Sequence, residues 1–312
     1  MVVFKTLNSS SVDIVALGEP MVEFNQTGER DGRVFLQGFG GDTSNFAVSA
    51  ARQGARVAYL SALGDDPYGH MLQSMWRSEG IDISGVQINP TAFTAIYFVT
   101  HDKQGHHFNF FRKGSAASLL RKEDLSIGLI QKAKVLHFSG ISLAISEIAQ
   151  DTCWHAVKVA REHGVKVSFD TNLRLKLWSV ETARTVINRA ISLCDLCLPS
   201  FDDMTVLTGL QDPRLILKYC HELGAKVVAL KLGDKGAMIS DGKNQWHISP
   251  VSCKPVDATG AGDTFGGALV HRWCEGDDWL KAGNYAAKAA AMSTEGYGAV
   301  EPIPFINQVM QR

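Results

Sequence analysis

The sequence predicts an α/β fold built on a mainly parallel sheet, and three observations carry that expectation. Apolar runs of five or six residues alternate with segments of helical period along most of the 312 residues. Two stretches, 20–37 and 92–112, instead alternate with period two and have no crossover helix between their halves. Two glycine-rich turns, one towards each end of the chain, lead straight into helix-like sequence. With 45% apolar residues the chain can bury a large core, and one α/β unit over 1–312 is expected.

In chain order, strand 13–17 (DIVAL) is followed by the first period-two stretch, 20–37. A helix over 43–53, capped by Asp42 or Thr43, then leads to strand 57–62 and helix 68–79. The second period-two stretch, 92–112, turns at His-Asp-Lys-Gln-Gly; with the first it predicts a small β-layer that acts as a lid over a site. Strands 134–139, 165–169, 194–198 and 226–231 alternate with helices 146–163, 180–192 and 212–223. Helices 262–274 and 278–295 complete the chain. Exposed lid strands invite pairing with a second copy, so a homo-oligomer, a dimer through the lid, is expected.

Composition narrows the function. The net charge is −1 and no Lys/Arg run exceeds two residues, which argues against nucleic acid or an anionic membrane as partner. The start, MVVFKTLNSSSVD, lacks the basic and apolar regions of a secretory signal, and no run approaches the ~18–20 apolar residues of a membrane span. A cytoplasmic protein is expected. The six cysteines form no disulfide framework, and Cys194 and Cys197 read as buried thiols in an apolar stretch. His101, His106 and His107 surround the lid turn, where a solvated turn outweighs a metal site.

The most informative stretch is DATGAGDTFGGA, residues 257–268, with seven glycines and alanines around Asp263. Gly260 and Gly262 let backbone approach a ligand closely, and amides at a helix start form an anion site. An acid there would repel a phosphate. It makes sense if it faces a hydroxyl that loses its proton while attacking phosphorus. The plain alternative is a tight turn with Asp263 as the helix cap. The stretch is no Walker loop, since no Lys-Ser or Lys-Thr follows the glycines. The second glycine-rich segment, Gln37 to Asn45, leads into the 43–53 helix.

Together the two segments resemble the paired signatures of the ribokinase-like (PfkB) carbohydrate kinase family, a likeness running from Gly18 to about Gly298. It implies a ribokinase-like three-layer α/β/α fold with a β-sheet lid, Asp263 as catalytic base, and Gly260, Ala261 and Gly262 as an anion hole. It implies ATP as phosphoryl donor beside Lys231, Gly233 and Gly236, with Asn284 on the adenine side. Asp203, in Ser200-Phe201-Asp202-Asp203 where the family has Asn-x-x-Glu, would hold Mg²⁺ through water. Asp257 and Thr259 match the family's monovalent-cation site, K⁺ being the usual ion. Ala258 stands where many members have Thr.

The resemblance implies a small-molecule sugar or sugar acid as acceptor. Gly18 to Phe24, GGDTSN, Phe111 to Ala117 and Asp170 to Trp178 most resemble the 2-keto-3-deoxygluconate kinases of this family. A carboxylate calls for a guanidinium fork, and Arg112 and Arg174 match arginines that those kinases direct at the substrate. Tyr97 matches a substrate-contacting tyrosine, whereas the tyrosine before the arginine is here Phe110 or Phe111. Gly40, Gly41, Asp42 and Asn45 would hold the hydroxyl end. The implied product is the 6-phosphate. A kinase for a neutral sugar such as fructose or a riboside, or a non-catalytic sugar- or nucleotide-binding protein, are the competing readings.

Overall fold

A computed structural model describes residues 12–102 and 105–312. The extreme N-terminal stretch and the tip of the second hairpin, on which expectations above touched, lie outside those residues, as does the His106 side chain. Along the chain run β1 (Ile14–Leu17), β2 (Met21–Gln26), β3 (Phe35–Gly40), α1 (Asp42–Arg52), β4 (Val57–Gly64), α2 (Pro67–Ser78), β5 (Val86–Asn89), β6 (Ile96–Asp102) and β7 (Gly105–Phe111). Next come α3 (Ile127–Lys132), β8 (Val135–Ser139), α4 (Gly140–Ala144), α5 (Glu147–Glu162), β9 (Lys166–Asp170), α6 (Val180–Leu193), β10 (Leu196–Leu198), α7 (Phe201–Thr208) and α8 (Pro213–Leu223). The chain closes with β11 (Val227–Lys231), β12 (Ala237–Ser240), β13 (Gln245–Ile248), α9 (Ala261–Cys274), α10 (Trp279–Ser293) and α11 (Ile306–Gln311).

Nine strands form one sheet in the order β13-β12-β11-β10-β9-β8-β1-β4-β5. All neighbours are parallel except β11/β12 and β12/β13, an antiparallel edge the sequence reading did not foresee. Strand order reverses direction at β1, between β4 and β8, the kind of switch point where open α/β sheets bind ligands beyond their carboxyl ends. Alternate residues of one strand enter opposite cores: Val15 and Leu17 join one, Ile14 and Ala16 the other. The first core is covered by α3, α5, α6 and α8, the second by α1, α2, α9, α10 and α11. Three layers result.

Helix starts follow their capping chemistry. Asp66, Ser146, Ser179, Asp212 and Asp278 each accept a backbone N–H in the first turn of the helix they precede. Helix α1 departs from expectation: its cap is Gly41, at φ 96°, and Asp42 is the first helical residue with its side chain free for other work. Cys194 and Cys197 are buried free thiols, and burial pushes the Cys197 thiol well up, as inert core sulfur requires.

The two period-two stretches meet in a separate four-stranded sheet, β3-β2-β6-β7. Each stretch is an antiparallel hairpin, and the two join through a parallel β2/β6 pairing that sequence alone did not indicate. One face buries Met21, Ala95, Tyr97 and Val99. On the other, Phe98 stacks on Phe24 at 5.2 Å and meets Phe35 and Phe111 edge-on at 5.4 and 5.9 Å. Phe111 on this face remains 56% exposed; Leu36, paired with Asn25 and so on the opposite face, is 61% exposed.

Candidate active site

A cavity of about 1040 Å³ opens where the carboxyl ends of β9, β10 and β11 meet the starts of α1 and α9, with Tyr97, Phe108 and Phe110 of the small sheet in its wall. The two glycine-rich segments are brought together by helix packing. A Cβ on Gly267 would stand 2.5 Å from the Phe46 carbonyl oxygen and 2.7 Å from Ser49 Cβ, so α9 lies against α1 at backbone contact. Ser49 Oγ donates to the Thr264 carbonyl at 2.9 Å and ties the pair. That contact aligns the helix starts, and Asn45 Nδ2 donates to Asp263 Oδ2 at 2.9 Å.

The cap of α9 is Gly260, left-handed at φ 75°, and a Cβ there would come within 3.0 Å of the Ala299 carbonyl oxygen. The helical ladder begins with Thr264 N–H to the Gly260 carbonyl, so the amides of Gly262 and Asp263 precede it. Asp263 is therefore the third residue of the helix, and no side chain caps α9. The tight-turn-with-Asp-cap alternative does not describe this geometry. Burial, with Asp42 and then Asp170 nearby, pushes the Asp263 carboxyl up to about 8, against the opposing Asn45 hydrogen bond and Lys231 charge.

Behind Asp263 runs a polar chain missed from sequence. Asp42 Oδ2 accepts from Asn172 Nδ2 at 2.9 Å, and Asn172 N–H donates to Asp170 Oδ1 at 3.2 Å. Asp170 Oδ2 accepts from Lys231 Nζ at 2.5 Å. Asn172 sits at φ 29°, a strained backbone held by these bonds. The signal for Asp170 was available: it ends a parallel strand, where α/β sites gather.

Elsewhere in the cavity wall, Arg112 forms an ion pair with Glu19, which also accepts from Ser115 Oγ at 2.6 Å. Burial raises the Glu19 carboxyl, with Arg112 and Ser115 pulling the other way. Arg112 Nε is buried without a hydrogen-bond partner, as are Asp42 Oδ1 and Asn45 Oδ1. Arg174 is exposed at the cavity, its Nη1 donating to the Leu173 carbonyl at 2.8 Å. Tyr97 Oη donates to the buried Glu23, and a Cβ on Gly40 would fall on that same hydroxyl.

Lys231, Gly233, Asp203, Thr259, Gly260 and Gly262 also line the cavity, together with Gly41. Gly236 lies behind them at φ 85°, where a Cβ would meet the Ile248 carbonyl oxygen at 2.1 Å. Asn284 is exposed on α10, outside the lining, and Ala261 is the first residue of α9. Asp203 Oδ2 accepts from Thr171 Oγ1 at 3.0 Å and from Leu173 N–H at 3.1 Å, which fixes the carboxylate in the wall. Asp257 fastens two loops, accepting from Thr259 N–H and Oγ1 on one oxygen and from Gly298 N–H on the other. Among the described residues no cluster of His, Cys, Asp and Glu forms a protein-only metal cage.

Known proteins share this architecture. Residues 12–306 match the family described as pfkB family carbohydrate kinase. Fructokinase-2 of Solanum habrochaites is 33% identical over 319 residues, 97% of this chain and 96% of that protein. The 2-dehydro-3-deoxygluconokinase of Thermoproteus tenax is 31% identical over 306 residues, 94% of this chain and 91% of its own. The crystal structure of Vibrio cholerae O395 fructokinase, with fructose, ADP and calcium bound, superposes with TM-score 0.87 at 30% identity, covering 97% of this chain and 99% of that one. An α/β fold with a β-sheet lid and a glycine turn beside a buried acid thus falls among the carbohydrate-phosphorylating enzymes. The chain belongs to the pfkB family of carbohydrate kinases, and its fold is ribokinase-like.

Proposed function

We propose that this kinase transfers the terminal phosphoryl group of ATP to the terminal hydroxyl of a sugar acid, 2-keto-3-deoxygluconate, giving the 6-phosphate. One observation carries the reading. The buried groups left without partners in the cavity are two acceptors, Asp42 Oδ1 and Asn45 Oδ1, and a guanidinium donor, Arg112 Nε. A polyol's hydroxyls satisfy the acceptors and can take one N–H, but a carboxylate meets a buried guanidinium with stronger, charge-assisted hydrogen bonds. A sugar acid offers both. Arg174 and Arg112 would share the carboxylate; Gly40, Gly41 and Tyr97 would shape the sugar end.

The residues present suit the donor nucleotide. A Cβ on Gly233 would meet nothing within 4 Å, which leaves room there for phosphates; Gly260 and Gly262 line the cavity, and Lys231 supplies charge. Asp203 offers a hard oxygen, and Mg²⁺ commonly takes one or two carboxylates with the substrate phosphates and water as its other ligands. Bound ATP with Mg²⁺ supplies an electrophilic phosphorus. Asp263 removes the proton from the attacking hydroxyl, and the amides at the start of α9 meet the charge that develops on the transferred group. Gly236 keeps the nucleotide loop closed against β13, and Asn284 belongs to the adenine side. A monovalent cation at Asp257 and Thr259 belongs to the same reading, and K⁺ titration of kcat tests it.

A neutral-sugar kinase, acting on fructose, is favoured by one observation: Glu19 already offsets the charge of Arg112. A panel of sugars and sugar acids in an ADP-coupled assay decides between them. We expect the keto-deoxy acid to show the highest kcat/KM, and Arg112→Ala or Arg174→Ala to lower it about 10- to 100-fold, the range for hydrogen bonds to a charged group. Fructose turnover should change far less. Equal losses on both substrates would retire the carboxylate reading.

A further inference from the structure

Among the cavity's charges, Lys231 is paired with a buried aspartate that has had no part in the chemistry so far. Asp170 ends β9 and Lys231 ends β11, with β10 between them, so the lysine side chain reaches across the end of a three-residue strand. Its backbone is fixed on the way, since Lys231 N–H donates to the Pro199 carbonyl at 2.8 Å. The ammonium arrives 3.5 Å from where a Cβ on Gly262 would stand. Asp170 is itself held, by Asn172 N–H on its other oxygen.

We propose that Asp170 is a positioning residue, which keeps the Lys231 ammonium under the glycine turn of α9 and off the carboxylate of Asp263. The inference rests on the reading of Asp263 as base. A lone ammonium at this place has two partners within reach, the anion above the turn and the base beside it. Bound to Asp263, it would quench the basicity that the reaction needs. Held by Asp170, it stays where charge develops on the phosphoryl group.

The groups facing Asp263 come from several elements. Asp42 and Asn45 lie on α1, Asp170 on β9, Lys231 on β11 and the Tyr97 phenol on β6, while Asp203 on α7 acts on Asp170 and Lys231. Asp170 raises the Asp263 carboxyl and Lys231 lowers it. Burial works against charging Lys231, but Asp170, Asp263 and Asp203 outweigh it and hold the ammonium above its ordinary range.

The two ends of one ion pair should therefore move Asp263 in opposite directions. Carbon-13 carboxyl spectra of the ligand-free enzyme, with the Asp263 resonance assigned by Asp263→Asn, read its titration directly. We expect Asp170→Asn to shift that titration to lower pH, Lys231→Met to shift it to higher pH, and kcat in Asp170→Asn to fall at least tenfold with the sugar KM changed less than threefold. A purely structural pair would lower stability while kcat of the folded Asp170→Asn enzyme stayed within about threefold of the parent, and that result, or titration shifts of the same sign, overturns the proposal. Near-normal turnover in Asp263→Asn would instead remove the base reading, whatever the spectra of the pair variants show.

Discussion

Asp263 has its ionisation set by everything around it. With its carboxyl at about 8 in the ligand-free protein, the group is largely protonated at neutral pH and becomes a base as pH rises. Accordingly kcat/KM, which reports the free enzyme, should climb through that region and fall about tenfold per pH unit well below it. A profile flat from about pH 6 to 9 would show that this carboxyl does not gate the reaction. Asp263→Asn should lower kcat by about 10²–10⁴, the usual span for a general base, while calorimetry still detects sugar binding. The chemistry-bearing acid was legible because it follows a glycine turn at a helix start within a stretch that matches a family signature. Asp170 was passed over because a strand-end aspartate looks ordinary until its lysine partner, 61 residues on, is seen beside it.

Helices α1 and α9 show a second use for the small residues of DATGAGDTFGGA. Gly260 and Gly262 serve the turn, but Gly266 and Gly267 serve packing: their missing side chains let α1 approach. Sequence reading gave Gly260 and Gly262 to the ligand and left Gly266 and Gly267 in the helix without a role, because spacing cannot tell which glycine a neighbouring helix will meet. Gly267→Val should cost about 1–3 kcal/mol in chemical denaturation, an overpacking penalty, and should lower turnover by moving Asn45 away from Asp263. Gly128→Ala is the matching control, since a Cβ at that helical position meets nothing within 4 Å; it should be neutral or stabilising by up to about 1 kcal/mol. The longer helices and the parallel strands β1, β4 and β8 to β11 were legible from period and caps, but the short helices α3, α4, α7 and α11 were not. The short strands β5, β12 and β13, four residues each, carried too little pattern to register.

At the scale of the molecule, the central parallel sheet followed from alternation of apolar runs and helices, while the way the two hairpins share one sheet did not. Their parallel β2/β6 contact joins segments about 74 residues apart, and no local pattern encodes such a partner. The outer face of that sheet, with Phe111 exposed, is where we expect a second copy to pair. Sedimentation velocity at micromolar concentration should show a species twice the 34.0 kDa of the chain, and Phe111→Lys should return it to a monomer; a parent protein that sediments as a monomer would dispose of the idea. Among the described residues, no helix is long and apolar enough to cross a membrane.

The bond between Asn45 and Asp263 spans 218 positions of sequence, and that has a consequence for how the protein comes into being. A nascent chain emerging from the ribosome carries its first glycine segment long before the second exists. No incomplete product of translation can therefore possess a working centre, and none can squander nucleotide while it is still being made. Such distant closure also loads the folding pathway with late, long-range steps, so competence should arrive abruptly, once the final helices dock.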